Sequence, residues 1–504
     1  MKLVYQPMAH WPCLSWLAKC TPQEAAVQVF HGSQVEIKDP WFCEAAWAGD
    51  FEAGDFDRTD IVAGSGGRIR DNGLCFVSSG SDVDRLHSIE KDGVTLVSNS
   101  LIGLLAWIEG DADIDYGEYG ADFANYRYTV FGQRTLAFPS TAGEIDLTYF
   151  SNLVWNGNRL EVHDKPCANR HFNDFDDYRV FLQRSMQVFV NNAQNDARSL
   201  PYKLSCPLSN GYDSPTIAAL LREFEGVEAF TFDVDQQGAD DSGEPVAVAL
   251  GIPCHVIDRD AWCLEELAEI PFIACSGSIG DLAFKAAESH MRGAVLMNGY
   301  GGDLLWDKQP TLSDPIAIGG GSMLGMTEYR LWAGFLNCPV GVWGIRQLHD
   351  IIRISNSAEM KPWDVDGNYS RPICRRIVET AGVGRSLFGI SKHGVSVVPL
   401  ARRNDLGPVS RMDLLAWLSE QRTQGRTGKR SIPHPRFARM LDWGITPLVE
   451  SVGKAERIAR RRRFKWMVPA VKALKETITR PYYHHRYRVH WAIDRAKRRY
   501  QEPE

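Results

Sequence analysis

The sequence predicts an α/β protein in three parts. Residues 1–170 read as a β-rich layered region, 171–405 as a doubly wound parallel sheet with helices, and 406–504 as a helical, basic end. Three observations carry this reading. In the first part, short apolar runs such as Gly73-Leu-Cys-Phe-Val-Ser78 and Gly93-Val-Thr-Leu-Val-Ser98 are separated by Gly/Asp/Ser turns, the spacing of a sandwich or layered sheet. Near Asp177 the period changes, and Tyr178, Phe181, Leu182, Met186 and Phe189 recur at helical spacing. Strands and helices then alternate: strand Lys203–Leu208, helix Pro215–Phe224 with proline in its first turn, strand Ala229–Val234, helix Glu244–Leu250, strand Cys254–Ile257, helix Leu282–Met291 and strand Ala294–Asn298. Such alternation builds a parallel sheet, and parallel sheets bind ligands beyond the carboxyl ends of their strands. The loops 209–214 and 298–303 fall at such ends. Residues 320–400 read as helical and irregular, and Thr423–Pro435 as a polar, basic connection.

With 504 residues, 44% apolar and 24% charged, the chain is of the ordinary globular class and long enough for two or three domains. No apolar run approaches the roughly 18–20 residues of a membrane-spanning helix, and the N-terminus lacks the pattern of a secretory signal. The 11 cysteines include no CxxC pair, so they read as free thiols in a reducing cytosol. The net charge of −7 conceals an asymmetry: residues 454–504 hold 16 Lys/Arg against 5 Asp/Glu, on an acidic body. In that tail, Arg460–Trp466 and Tyr482–Arg488 interleave basic and aromatic residues. This fits a solvated helical face or contact with the anionic inner face of a membrane, with nucleic acid the least favoured partner. His484 and His485 are adjacent, face different directions and make no metal site.

The strand–loop–helix element at Ser209-Asn-Gly-Tyr-Asp-Ser214 carries the chemistry. Its turn and the free N–H groups of the following helix converge on one spot, an anion site that Gly211 lets a ligand approach. Ser209 and Ser214 add hydroxyl donors. A carboxylate at Asp213 suits an anion site when a divalent cation bridges it to phosphate. On these local features alone, a capped helix start explains the element equally well.

This segment resembles the SGGxDS pyrophosphate loop of the N-type ATP pyrophosphatases, specifically the synthetase domain of asparagine synthetases, β-lactam synthetases and lasso-peptide cyclases. A second family signature, a GxGGD-type loop after a later strand, matches Asn298-Gly-Tyr-Gly-Gly-Asp303, and a third, a downstream Lys-Gly pair, matches Ser391-Lys-His-Gly394. The resemblance covers roughly residues 175–400. It implies ATP and Mg²⁺ as cofactors, with Leu208, Ser209, Asn210, Gly211, Asp213 and Ser214 around the phosphates. It further implies Asp213 and Asp303 as metal ligands and Lys392 as the cation at the α-phosphate. Thr231, Phe232 and Asp233 would pass the adenine, and Asn298 and Gly299 would complete the nucleotide contacts. The implied reaction is adenylation of a carboxylate with loss of pyrophosphate, then amide formation with an amine or ammonia.

The chain departs from the pattern in four places. Asn210 stands where the family has glycine, an exchange that a left-handed turn tolerates. His393 separates Lys392 from Gly394. Tyr300 occupies the catalytic position of a glutamate, and a phenol with an ordinary pKa near 10 is a poor base at neutral pH. Residue 2 is Lys rather than the glutaminase cysteine, and Cys13 is internal, so residues 1–170 are expected to keep a degenerate glutaminase-like fold without its chemistry. Nitrogen would then come from an amine on the substrate, from free ammonia or from a separate glutaminase. A sugar acid, another small acid or a peptide are the substrates the resemblance implies. Around Arg371, the segments 355–363 and 369–376 read either as a pocket for an acidic substrate, with Glu359 or Arg371 touching it, or as a helix start. The alternative function is a nucleotide-binding scaffold or regulator that has lost the chemistry.

Overall fold

The computed structural model describes residues 1–116, 119, 135–166, 170–235, 238–277, 279–308, 323, 325–365, 369–389, 406–425 and 487–501. Within these residues it is a mixed α/β protein with a β-rich N-terminal region, a parallel sheet and helices.

Two sheets make up the N-terminal region. The first has seven strands in the order β1 (Lys2–Pro7), β3 (Ala26–His31), β2 (Trp16–Cys20), β9 (Val94–Ser98), β8 (Leu86–Lys91), β11 (Gly143–Thr148) and β10 (Thr135–Ser140). The second has six: β13 (Leu160–Asp164), β12 (Ser151–Trp155), β7 (Gly73–Val77), β6 (Val62–Arg70), β5 (Trp41–Trp47) and β4 (Glu36–Lys38). The layers meet on buried residues from both: Trp16, Leu86 and Val97 from the first, Phe42, Phe76 and Trp155 from the second. Trp16 stacks on Phe76 at 6.0 Å and meets Phe42 edge-on at 5.1 Å. Its indole N–H, which burial would otherwise strand, donates to Ser65. The short apolar runs at 73–78 and 93–98 thus contain strands, as their apolar content and flanking turns predict.

The helix Phe175–Ala193 links this region to the rest. Asp174 caps it by accepting from the Asp177 N–H at 2.9 Å, and Tyr178, Leu182, Met186 and Phe189 form its buried stripe. Beyond it lies the third sheet, wholly parallel, in the order β16 (Cys254–Ile257), β15 (Val227–Phe232), β14 (Lys203–Pro207), β17 (Ala294–Asn298) and β18 (Leu336–Pro339). The chain builds outward from β14 through β15 to β16, then crosses back to place β17 on the other side of β14. The neighbouring strands β14 and β17 therefore lead away in opposite directions, the position at which open parallel sheets form a crevice.

The helix Glu244–Leu250 matches its sequence reading and stops where Gly251 adopts a φ of 71°. Residues 282–291 differ: a 3₁₀ turn over Leu282–Ala287 precedes a short α-helix, Glu288–Met291. The strand β18 lies inside the stretch read as helical and irregular. At the C-terminal end, the helices Pro408–Thr423 and Arg488–Lys497 are described; Arg460–Trp466, the basic-aromatic run up to residue 486, and residues 426–435 lie outside the described residues. No helix among the described residues is long and apolar enough to cross a membrane.

Candidate functional site

The loop after β14 is tied to itself. The Ser209 N–H donates to the Ser214 hydroxyl at 3.0 Å, the two hydroxyls are 3.0 Å apart, and the Gly211 N–H donates to Ser209 Oγ at 3.3 Å. The helix that follows, Asp213–Leu221, places Asp213 in its first turn. Leu208 is buried, and its N–H donates to Phe230 O at 2.8 Å. Neither Asn210 nor Gly211 adopts a positive φ, so the turn does not use the left-handed geometry proposed for Asn210. A methyl group at Gly211 would meet Ser209 Oγ at 3.5 Å and Tyr369 Oη at 3.6 Å, ordinary contacts, so among the described residues it fits without a clash. The Asn210 amide donates to Asp240 O at 3.3 Å, while its Oδ1 is buried with no hydrogen-bond partner among the described residues.

The loop after β17 closes onto the same point. A Cβ on Gly299 would lie 2.6 Å from Asp213 Cβ, and one on Gly302 would lie 2.6 Å from Asp213 Oδ1. These two glycines let the second loop lie directly against Asp213. Asp303, next along the chain, is half-buried and pairs with no described residue. Asn298 holds the loop's base: its amide donates to Asn337 Oδ1 at 2.8 Å, and its Oδ1 accepts from the Tyr300 N–H at 3.0 Å.

A third segment covers the loop. Arg371, 3% exposed, donates to Asp213 Oδ1. Burial disfavours the Arg371 charge, but Asp213 outweighs it and holds the guanidinium's pKa above its ordinary value. Tyr369 lies against Tyr212 at 4.8 Å between ring centres, and Arg375 donates to Tyr212 Oη at 2.6 Å. The Gly389 N–H donates to Asn210 O at 2.7 Å. Lys392, three residues further on, lies outside the described residues with the rest of Ser391–Gly394.

The other sequence-derived positions divide. Thr231 and Phe232 are buried at the end of β15, and the Thr231 hydroxyl accepts from the Gly243 N–H at 2.9 Å. Asp233 is exposed and its carboxylate accepts from the Val234 and Arg259 N–H groups. Tyr300 is turned to the N-terminal region, where its phenol donates to Asp82 at 2.9 Å. Glu359 does not face the loop; it accepts from the Phe175 N–H and pairs with Arg376. The sequence reading singled out the segment 369–376 but did not connect it to Asp213, a partner 158 positions away for which no local pattern exists.

Lys2 begins the edge strand β1 and is exposed. The Cys13 thiol donates to Leu331 O at 3.4 Å, and burial pushes its pKa up to about 11, the reverse of what a nucleophilic thiolate needs. A comparison with protein-family models finds no match, and a comparison with curated proteins finds none.

Proposed function

We propose that the chain is an ATP-dependent ligase that adenylates a carboxylate, releases pyrophosphate and passes the acyl group to an amine or ammonia. The observation that carries this reading is the meeting of two loops, from the β14 and β17 ends, on Asp213 through Gly299 and Gly302. In this reading residues 171–405 are a doubly wound ATP pyrophosphatase domain and residues 1–170 a degenerate glutaminase-like domain. The Asn210 Oδ1, which no described residue partners, and the fit of a methyl group at Gly211 support a ligand seated on the loop.

The carboxylates of Asp213 and Asp303, on touching loops, fit a divalent cation and would hold Mg²⁺ between them. Bound there, Mg²⁺ would neutralise charge on the departing pyrophosphate. Ser209, Ser214 and the loop N–H groups would grip the β- and γ-phosphates, and Lys392 would face the α-phosphate. The substrate carboxylate attacks the α-phosphorus, the bond to the β-phosphate bridging oxygen breaks, and pyrophosphate leaves with that electron pair. The nitrogen then attacks the acyl carbon, AMP leaves, and the nitrogen gives up a proton. With the Cys13 thiol held protonated by burial, the nitrogen in this reading comes from the substrate, free ammonia or a separate glutaminase. A sugar acid, a small acid or a peptide is the carboxylate of this reading, handled in the cytoplasm, with the basic tail suited to an anionic membrane surface.

The test is Mg²⁺-dependent pyrophosphate release with a panel of carboxylic acids, and its loss in Asp303→Ala. Normal turnover in that variant would remove the assignment. A second reading, a nucleotide-binding scaffold, is favoured by two bonds: Arg371 already neutralises Asp213, and Tyr300 is engaged by Asp82. ATP binding by calorimetry with no pyrophosphate from any acid would select it.

A further inference from the structure

Away from the loop crevice, one face of the parallel sheet brings together three metal-ligating side chains from three elements. Glu228 and Phe230 alternate along β15 and so share a face, and Phe230 pairs in register with His255 of β16. His290 comes to the same face from the short helix Glu288–Met291. One ligand atom from each of Glu228, His255 and His290 lies within 4.8 Å of the other two. The imidazoles lie 4.4 Å apart between ring centres, and His255 Nε2 is 3.9 Å from the Glu228 carboxylate. Fully buried Phe230 forms the floor, its ring 6.4 Å from that of His290.

We infer that Glu228, His255 and His290 form a Zn²⁺ site with an open fourth position, separate from the crevice and independent of the ligase reading. Two imidazoles and one carboxylate are a donor set that suits zinc, and three protein ligands leave room for water or an outside ligand. At metal–ligand distances of about 2.0–2.2 Å, tetrahedral donors stand roughly 3.3–3.5 Å apart. Closing from the present spacing takes small side-chain rotations, which the exposed Glu228 and His255 can make. Zinc needs neutral imidazole, and no described residue occupies the ring nitrogens of His255 or His290 with a hydrogen bond. Two of the three ligands, Glu228 and His255, stand on strands whose backbones are fixed by the sheet ladder. A cation here would pin the edge strand β16 to β15 and to the helix leading into β17.

The experiment uses the full chain without a histidine tag, stripped by chelator and titrated with Zn²⁺ in a calorimeter, with Co²⁺ as a spectroscopic stand-in. One equivalent should bind, Co²⁺ should give the intense visible bands of a low-coordinate nitrogen/oxygen site, and the melting temperature should rise. His255→Ala and His290→Ala should each lose this binding while keeping the metal-free melting temperature. Asp303→Ala should retain it. Absence of a stoichiometric Zn²⁺, or its persistence in both histidine variants, overturns the inference. So does loss in Asp303→Ala with retention in the histidine variants, which would assign the ion to the crevice.

Discussion

Arg371 neutralises Asp213 from a helix start 158 residues downstream, and the two are unequally exposed: the Arg371 side chain is 3% exposed, that of Asp213 29%. The inequality gives an asymmetric prediction. Asp213→Asn strands a buried guanidinium, whereas Arg371→Met leaves a carboxylate that water can still reach. Breaking a buried pair costs about 3–5 kcal/mol, and an exposed survivor reduces that. Urea unfolding should show a loss near about 3 kcal/mol for Asp213→Asn and about 1 kcal/mol for Arg371→Met. Equal losses would mean the pair is not held as described. For the same reason Asp303→Ala is the cleaner test of chemistry than any change at Asp213.

Two glycines separate crowding from ligand approach. Gly299 has no room for a methyl group, since its Cβ would sit 2.6 Å from Asp213 Cβ and 2.7 Å from its carbonyl carbon. Gly211 has room, with nothing closer than 3.5 Å. Gly299→Ala should cost about 1–3 kcal/mol by overpacking and abolish pyrophosphate release. Gly211→Ala should leave the melting temperature unchanged yet lower that release, because its methyl group would occupy space a phosphate needs. Unimpaired release in Gly211→Ala would move the phosphates elsewhere.

The strands β14 to β17 are legible in the sequence because each is a short apolar run bounded by turn residues or proline, and the helix Glu244–Leu250 because Pro245 opens it and Gly251 ends it. β18 was not legible. Its four residues, Leu-Asn-Cys-Pro, are too few to show a period, and they follow the helix Met326–Ala333. The loop Ser209–Ser214 was legible as a motif, but its setting was not. The Arg371–Asp213 and Tyr300–Asp82 bonds join residues 158 and 218 positions apart, and neither end carries a local signal of the other. The same holds for Glu228, His255 and His290, single residues on three elements.

The N-terminal region is locked to the parallel-sheet part through a fully buried charge cluster. Arg330, in the helix Met326–Ala333, donates to Glu44 of β5 at 2.6 Å and to Asp84 at 2.7 Å. Burial pushes the Glu44 carboxyl up, and Arg330 works against that rise. Arg330→Met should leave two buried carboxylates facing each other and cost about 3–5 kcal/mol in denaturant unfolding. The triple variant Glu44→Gln, Asp84→Asn, Arg330→Met removes all the charge and should recover most of that loss. A single variant as stable as the parent would show that the cluster does not hold the parts together.

Asp281 gives a pH dependence of definite sign. Its carboxylate is buried and accepts from the Met323 N–H at 2.6 Å and the Gly325 N–H at 2.8 Å. Burial raises its pKa to about 7, and the two N–H bonds offset only part of the rise. The unfolded chain, with an ordinary aspartate near 3.9, releases this proton first. Between about pH 4 and pH 7 the folded state therefore holds a proton that the unfolded state lacks. By linkage, this group's contribution to stability is fully present below pH 4 and falls as pH rises to 7, by up to about 4 kcal/mol at 1.36 kcal/mol per unit. Asp281→Asn cannot titrate, and its amide fits the two N–H donors imperfectly, so its absolute stability is uninformative. The slope is the readout. Between pH 5 and pH 8 the unfolding free energy of the parent should fall relative to that of the variant, because only the parent loses this contribution. Parallel pH profiles would show that Asp281 is ionised throughout.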